Sequence, residues 1–175
     1  MRRTLSQVLL ILLFIFFLPF YVYALSCTVT RVLDGDTFHC IPKERITDVP
    51  IVKIHKDGSI TVRLYGVDAP EKDQPYGEEA QNSLRELIKG RTVELEVKSI
   101  DRYGRVVALV YVDGVNVNLE QVKRGYAWAY LEFLDRPYVS EFYSAEKEAR
   151  SKGLGLWRQT NPTPPWEWRK LKKKE

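Results

Sequence analysis

Between Ile60 and Glu71 the chain reads I-T-V-R-L-Y-G-V-D-A-P-E, and three of its charged side chains could do chemistry together. Arg63 offers a planar, permanently charged fork that suits a phosphate, while Asp68 and Glu71 offer hard carboxylate oxygens that suit a divalent cation or a base acting on water. The same residues would also serve as a surface strand with a solvated turn, so the segment needs support from elsewhere in the chain. Asp36, in D-G-D-T at 34–37, adds a carboxylate, and Arg105, in D-R-Y-G-R at 101–105, adds a guanidinium. Two acids completed by water make a hard-cation site, and two arginines can bracket a phosphate. Singly, Asp36 could merely favour a turn and Arg105 could end a strand in solvent.

The elements that must position these groups follow from periodicity. Ile60, Val62 and Leu64 alternate with Thr61, Arg63 and Tyr65, which predicts a half-buried strand with Arg63 turned away from the core. Gly66 and Pro70 end it, so Asp68 and Glu71 are expected on the following loop. Asp34-Gly35 is a hairpin turn signal between arms at Thr28 to Leu33 and Asp36 to Ile41. Pro42 to Pro50 reads as a loop and Ile51 to His55 as a further strand. Ala80, Leu84, Leu87 and Ile88 fall at helical spacing, closed by Gly90, and Val93, Leu95 and Val97 alternate as the next strand. Arg105 opens R-V-V-A-L-V-Y-V. Asn118 is placed as the cap of a short helix that Gly125 ends, and Tyr138, Phe142, Ala145 and Ala149 share one face of a helix from Pro137 to Ser151. Trp157 is expected to dock on the core, with the last residues loosely held. Five strands with a helix after the third and two more at the end predict an α+β protein, a five-stranded Greek-key β-barrel of the OB type with about three helices.

At the N-terminus, M-R-R leads into an apolar run from Val8 to Ala24, with small residues before Leu25, the layout of a signal peptide. The run is also near the lower limit for a retained membrane anchor. The expected organisation is a leader at 1–24, a barrel domain at 25–160 and a Pro/Trp/Lys-rich tail at 161–175. Lys and Arg number 27 against 23 Asp and Glu, but the body from Leu25 to Pro165 carries 20 basic and 21 acidic residues. That excludes a global basic patch, so anion binding must come from local arrangement. Cys27 and Cys40 bound the hairpin, whose arms would bring them alongside each other, and an oxidising compartment would join them and stabilise the fold by about 3 kcal/mol; two buried free thiols are the alternative.

D-G-D-T at 34–37, R-L-Y-G-V-D-A-P-E at 63–71, D-R-Y-G-R at 101–105, and G-L-W followed by P-P-W-E-W-R near the end together resemble the staphylococcal nuclease (thermonuclease) family, over nearly all of the chain after the leader. The resemblance implies a calcium-dependent phosphodiesterase, an endonuclease-type hydrolase of DNA and/or RNA, exported to a periplasm or secreted. The expected form is a monomer with nucleic acid as its partner, meeting a membrane only if the leader is retained. It assigns Asp36, Asp68 and the main-chain carbonyl of Ala69 to calcium, Glu71 to the general base, and Arg63 and Arg105 to the phosphate in the transition state. Tyr103 and Tyr130 match nucleotide contacts. Ala69 stands where the best-known member has threonine, which preserves a carbonyl ligand but no hydroxyl. Glu132 replaces a second tyrosine, the 42–55 segment is longer, and the loop after Glu71 is shorter, all of which bear on substrate fit. The competing reading is an OB-type module that grips nucleic acid without cutting it.

Overall fold

Alternating apolar residues build a β-sheet that curls until its edges meet. The computed structural model describes residues 25–44 and 51–173; the expected leader lies outside the described residues. Strand β1 (Leu25–Val32) pairs antiparallel with β2 (Thr37–Pro42) and with β5 (Thr92–Ile100). Strand β2 continues to β3 (Ile60–Leu64), and β5 to β6 (Val106–Val112). A parallel contact between β3 and β6, with Val62 opposite Val106 and Leu64 opposite Ala108, closes the five strands into a barrel without a long open edge. The interior is filled by Phe38, Ile60, Val62, Leu64, Val93, Leu95 and Val110, all buried. The expected α+β barrel is therefore the fold.

Helix α1 (Gly77–Ile88) follows β3 and covers one end with Ala80, Leu84 and Ile88. Helix α2 (Val117–Lys123) packs against β6, and α3 (Arg136–Ser151) buries Phe142, Ala145 and Ala149 as their spacing predicts. Short strands β4 (Val67–Asp68) and β8 (Trp128–Ala129) pair beside the barrel, and β7 (Val115–Asn116) extends β6. Trp157, in a 3-10 turn at Gly155–Arg158, is buried against Trp128, as expected of it.

Four local readings change. Ile51–His55 makes only an isolated bridge, Ile54 to Ile60, because both edges of β3 are already taken by β2 and β6. Asp68 sits in β4 and not on a loop. The cap of α2 is Asn116, whose Oδ1 accepts from the Leu119 amide at 3.1 Å. Asn118 is buried instead, accepting from Val110 N at 3.0 Å and donating to the Tyr65 and Ala108 carbonyls. Finally, the tail contains an element that the periodicity did not predict, a fourth helix, α4 (Pro165–Lys172), that begins on a proline suited to a first helical turn.

One buried amide fixes the hairpin turn of the candidate site. Gln121 Nε2 donates to Gly35 O at 2.7 Å and Ala80 O at 3.1 Å, and its Oε1 accepts from Ser83 Oγ at 2.6 Å. Gly35 permits this approach, because a Cβ there would lie 2.6 Å from that of Ala69 and 2.7 Å from that of Ala80. Gln121→Leu keeps the bulk but strands these polar groups in the interior, and should destabilise by about 1–3 kcal/mol in urea unfolding. An unchanged midpoint would show that the amide does not hold the turn.

Candidate active site

The strand register brings the scattered acids and arginines to one end of the barrel. Thr37 pairs with Arg63 across β2 and β3, so Asp36 in the hairpin turn stands one residue from the cross-strand neighbour of Arg63. Arg63 in turn pairs with Val107 of β6, which starts just after Arg105. Asp68 is delivered by the sharp reversal at Gly66, whose φ of +71° and contact with Leu134 leave no room for a side chain.

Arg63 Nη1 donates to Asp36 Oδ1, and Nη2 donates to Asp68 Oδ1 at 2.8 Å. Asp36 also accepts from Thr37 Oγ1 and from the Ala69 amide, each at 2.8 Å. The two carboxylates are 3% and 0% exposed. Burial raises the pKa of Asp68, and the neighbouring charge of Asp36 adds to it, against the hydrogen bonds from Arg169 and Arg63. Asp34, in the same turn, is pushed up to about 7 by burial and then by Asp36. Burial also works against the charge on Arg63, but Asp36 and Asp68 outweigh it and hold its pKa above the ordinary value. Arg63 therefore faces outward, as its place in the strand predicts, yet its side chain is only 19% exposed.

Glu71, Tyr103 and Arg105 line the same groove, of about 570 Å³, as Asp36, Arg63 and Ala69. Arg105 is steered by Asp101, which accepts from its Nε at 2.6 Å and from its amide at 3.0 Å, leaving the two terminal nitrogens available for a ligand. Exposed Tyr103 lies beneath it, with the guanidinium 5.4 Å from the ring centre. Tyr130 does not line the groove. It stacks at 5.2 Å and 10° on Trp166 of α4, which does.

The residue sequence reasoning missed is Arg169. From α4 its Nη2 donates to Asp68 Oδ2 at 2.7 Å, and its Nη1 to Asp68 Oδ1 at 3.2 Å and to Glu71 Oε1 at 2.7 Å. The only local signal is the P-P-W-E-W-R string, which places a helix start but not its docking partner.

Among the described residues, no group of three His, Cys, Asp or Glu forms a ready metal cage. Two buried, mutually repelling carboxylates beside an open groove nonetheless fit a hard cation that completes its shell with water. Cys27 and Cys40 are joined in a disulfide across β1 and β2, with Cα atoms 5.6 Å apart.

Residues 61–159 match the model of the family described as staphylococcal nuclease homologue. A Haemophilus influenzae protein named uncharacterized endonuclease is 38% identical over 148 residues, covering 85% of this chain and 75% of that protein. An Escherichia coli protein of the same name is 36% identical over 163 residues, covering 93% of this chain and 96% of that protein. A micrococcal nuclease of Shigella flexneri is 35% identical over 154 residues, covering 83% and 80%. With more than half of the chain matched to the family model and relatives aligned over most of their length, the chain belongs to the staphylococcal nuclease family and is, by that membership, a nuclease.

Proposed function

We propose that this chain hydrolyses phosphodiester bonds of nucleic acid in the groove between Asp36, Arg63, Asp68, Glu71 and Arg105, with calcium as its cofactor. The observation that carries the reading is the single guanidinium of Arg63 spanning two buried carboxylates, with Glu71 and a second arginine on the same groove. Asp36, Asp68 and the main-chain carbonyl of Ala69 would hold the calcium ion, which supplies a Lewis acid for the phosphate and the attacking water. Arg63 and Arg105 grip the phosphate and meet the negative charge that grows on it in the transition state. Glu71 takes the proton from water. Tyr103 offers its exposed ring to a base or sugar, while Tyr130 acts from behind Trp166.

A nearly neutral body can hold a polyanion in this way because the positive charge is concentrated where the scissile phosphate sits. The disulfide supports export to an oxidising compartment, in a periplasm or outside the cell. Among the described residues no helix is long and apolar enough to cross a membrane. We assign 1–24 to a leader, 25–160 to the catalytic domain and 161–175 to a tail whose Trp166, Arg169, Lys170 and Lys173 line the groove.

The test is cleavage of single-stranded DNA, duplex DNA and RNA by the mature chain, with calcium and with excess chelator. Cleavage is expected with calcium and none with chelator. Full activity in chelator would overturn the metal assignment, and inert substrates under every condition would overturn the site.

A further inference from the structure

Helix α4 is built to occupy the groove and equally built to leave it. Within α4 only Pro165 is buried, and Leu171 is 54% exposed, so beyond the first turn no apolar face fastens the helix to the barrel. Its first turn is anchored by Trp166, stacked on Tyr130 and edge-on to Trp128 at 6.4 Å, and the preceding segment by Gln74 Nε2 donating to Thr163 O at 2.6 Å. Beyond that, it is held by polar contacts to β4 and the loop after it. Trp168 Nε1 donates to Asp73 Oδ1 at 3.2 Å, Lys172 pairs with Asp73, and Arg169 joins Asp68 to Glu71. A helix of eight residues has little stability of its own, and its half-exposed pairs to Glu71 and Asp73 are weak fastenings, so beyond the first turn the hold rests on the bond from Arg169 to buried Asp68.

The atoms that Arg169 engages are the ones the reaction needs. Asp68 Oδ1 accepts from both Arg63 and Arg169, and Oδ2 accepts from Arg169 again. That takes three of the roughly four lone-pair positions on the carboxylate. The same guanidinium engages Glu71 Oε1, the oxygen expected to receive a proton. A divalent cation on Asp68 would compete for the same lone pairs and repel the positive charge of Arg169 beside it.

On the reading of Asp36 and Asp68 as metal carboxylates, we propose that Arg169 is a tethered internal cation which calcium must displace, so that α4 gates both the metal site and Glu71. Lys170 and Lys173 also line the groove, so a polyanionic strand offers the released helix new partners. The gate thus opens at lower calcium when nucleic acid is present.

Calcium titration of the whole mature chain by calorimetry, with tryptophan emission followed in parallel, tests this. Arg169→Gln should bind calcium at least about tenfold tighter, which corresponds to a native gate open about a tenth of the time. Trp166→Ala keeps the arginine but removes the anchor, and should tighten binding in the same direction, which mere loss of a nearby positive charge cannot explain. In the wild type, emission should change along the calcium isotherm, and replacing both tryptophans of α4, Trp166 and Trp168, by phenylalanine should remove most of that change. Equal or weaker calcium binding by folded Arg169→Gln, or no tightening in folded Trp166→Ala, overturns the gate while leaving the metal reading intact. Calcium binding that survives Asp36→Asn overturns the metal reading, and the gate with it.

Discussion

Glu71→Gln and Arg105→Lys should each lower turnover by at least about a hundredfold, the scale for one general base or one preorganised donor. Glutamine keeps the shape of Glu71 and its acceptor for Arg169, so the groove stays assembled while the proton acceptor is lost. Lysine keeps the charge of Arg105 but not the fork, and Asp101 can still receive its ammonium. Both side chains are partly exposed, so folding should be unaffected. Near-normal turnover in either folded variant would mean that the reacting phosphate sits elsewhere. Arg63→Lys is a different experiment. Although Arg63 is expected on an open face, it joins two buried carboxylates, and lysine would leave one of them short of a partner. It should lose turnover on the same scale and also thermal stability, through the cost of an imperfectly paired buried charge.

Replacing both Cys27 and Cys40 by alanine should destabilise the protein by about 3 kcal/mol, with the melting temperature falling by roughly 6–12 °C for a domain of this size. The bond closes a segment of 13 residues in sequence separation, and both half-cystines are fully buried on the barrel wall. It lies at the end of the hairpin opposite the turn that carries Asp36, which Gln121 secures separately. Turnover well below the new melting temperature should therefore be unchanged. Melting curves that coincide with and without the bond would show that the paired strands alone carry this part of the fold.

The barrel was legible because its strands have faces. Ile60, Val62 and Leu64 can only point inward if Arg63 points outward, and the period of two that says so is local. The helix from Ala80 to Ile88 and the one bearing Phe142 could be read for the same reason. Once the strands pair, register sets Asp36, Arg63 and Arg105 at one end of the barrel, and the reversal at Gly66 brings Asp68 and Glu71 to them. Other features depended on what lies across space. Asn118 has the residue type of a helix cap, but the backbone amide of Val110 and the carbonyls of Tyr65 and Ala108 claim it for the interior. Ile51–His55 has the pattern of a strand, but closure of the barrel removes its partner. Arg169 is the clearest case. It reads as one charge in a basic tail, and its bonds to Asp68, 101 residues away, form only when α4 is laid over the groove. Periodicity reaches a few residues along the chain and so dictated the elements and their faces; a contact across 101 residues is set by which charged groups those assembled elements leave facing one another, and only the tertiary structure decided that.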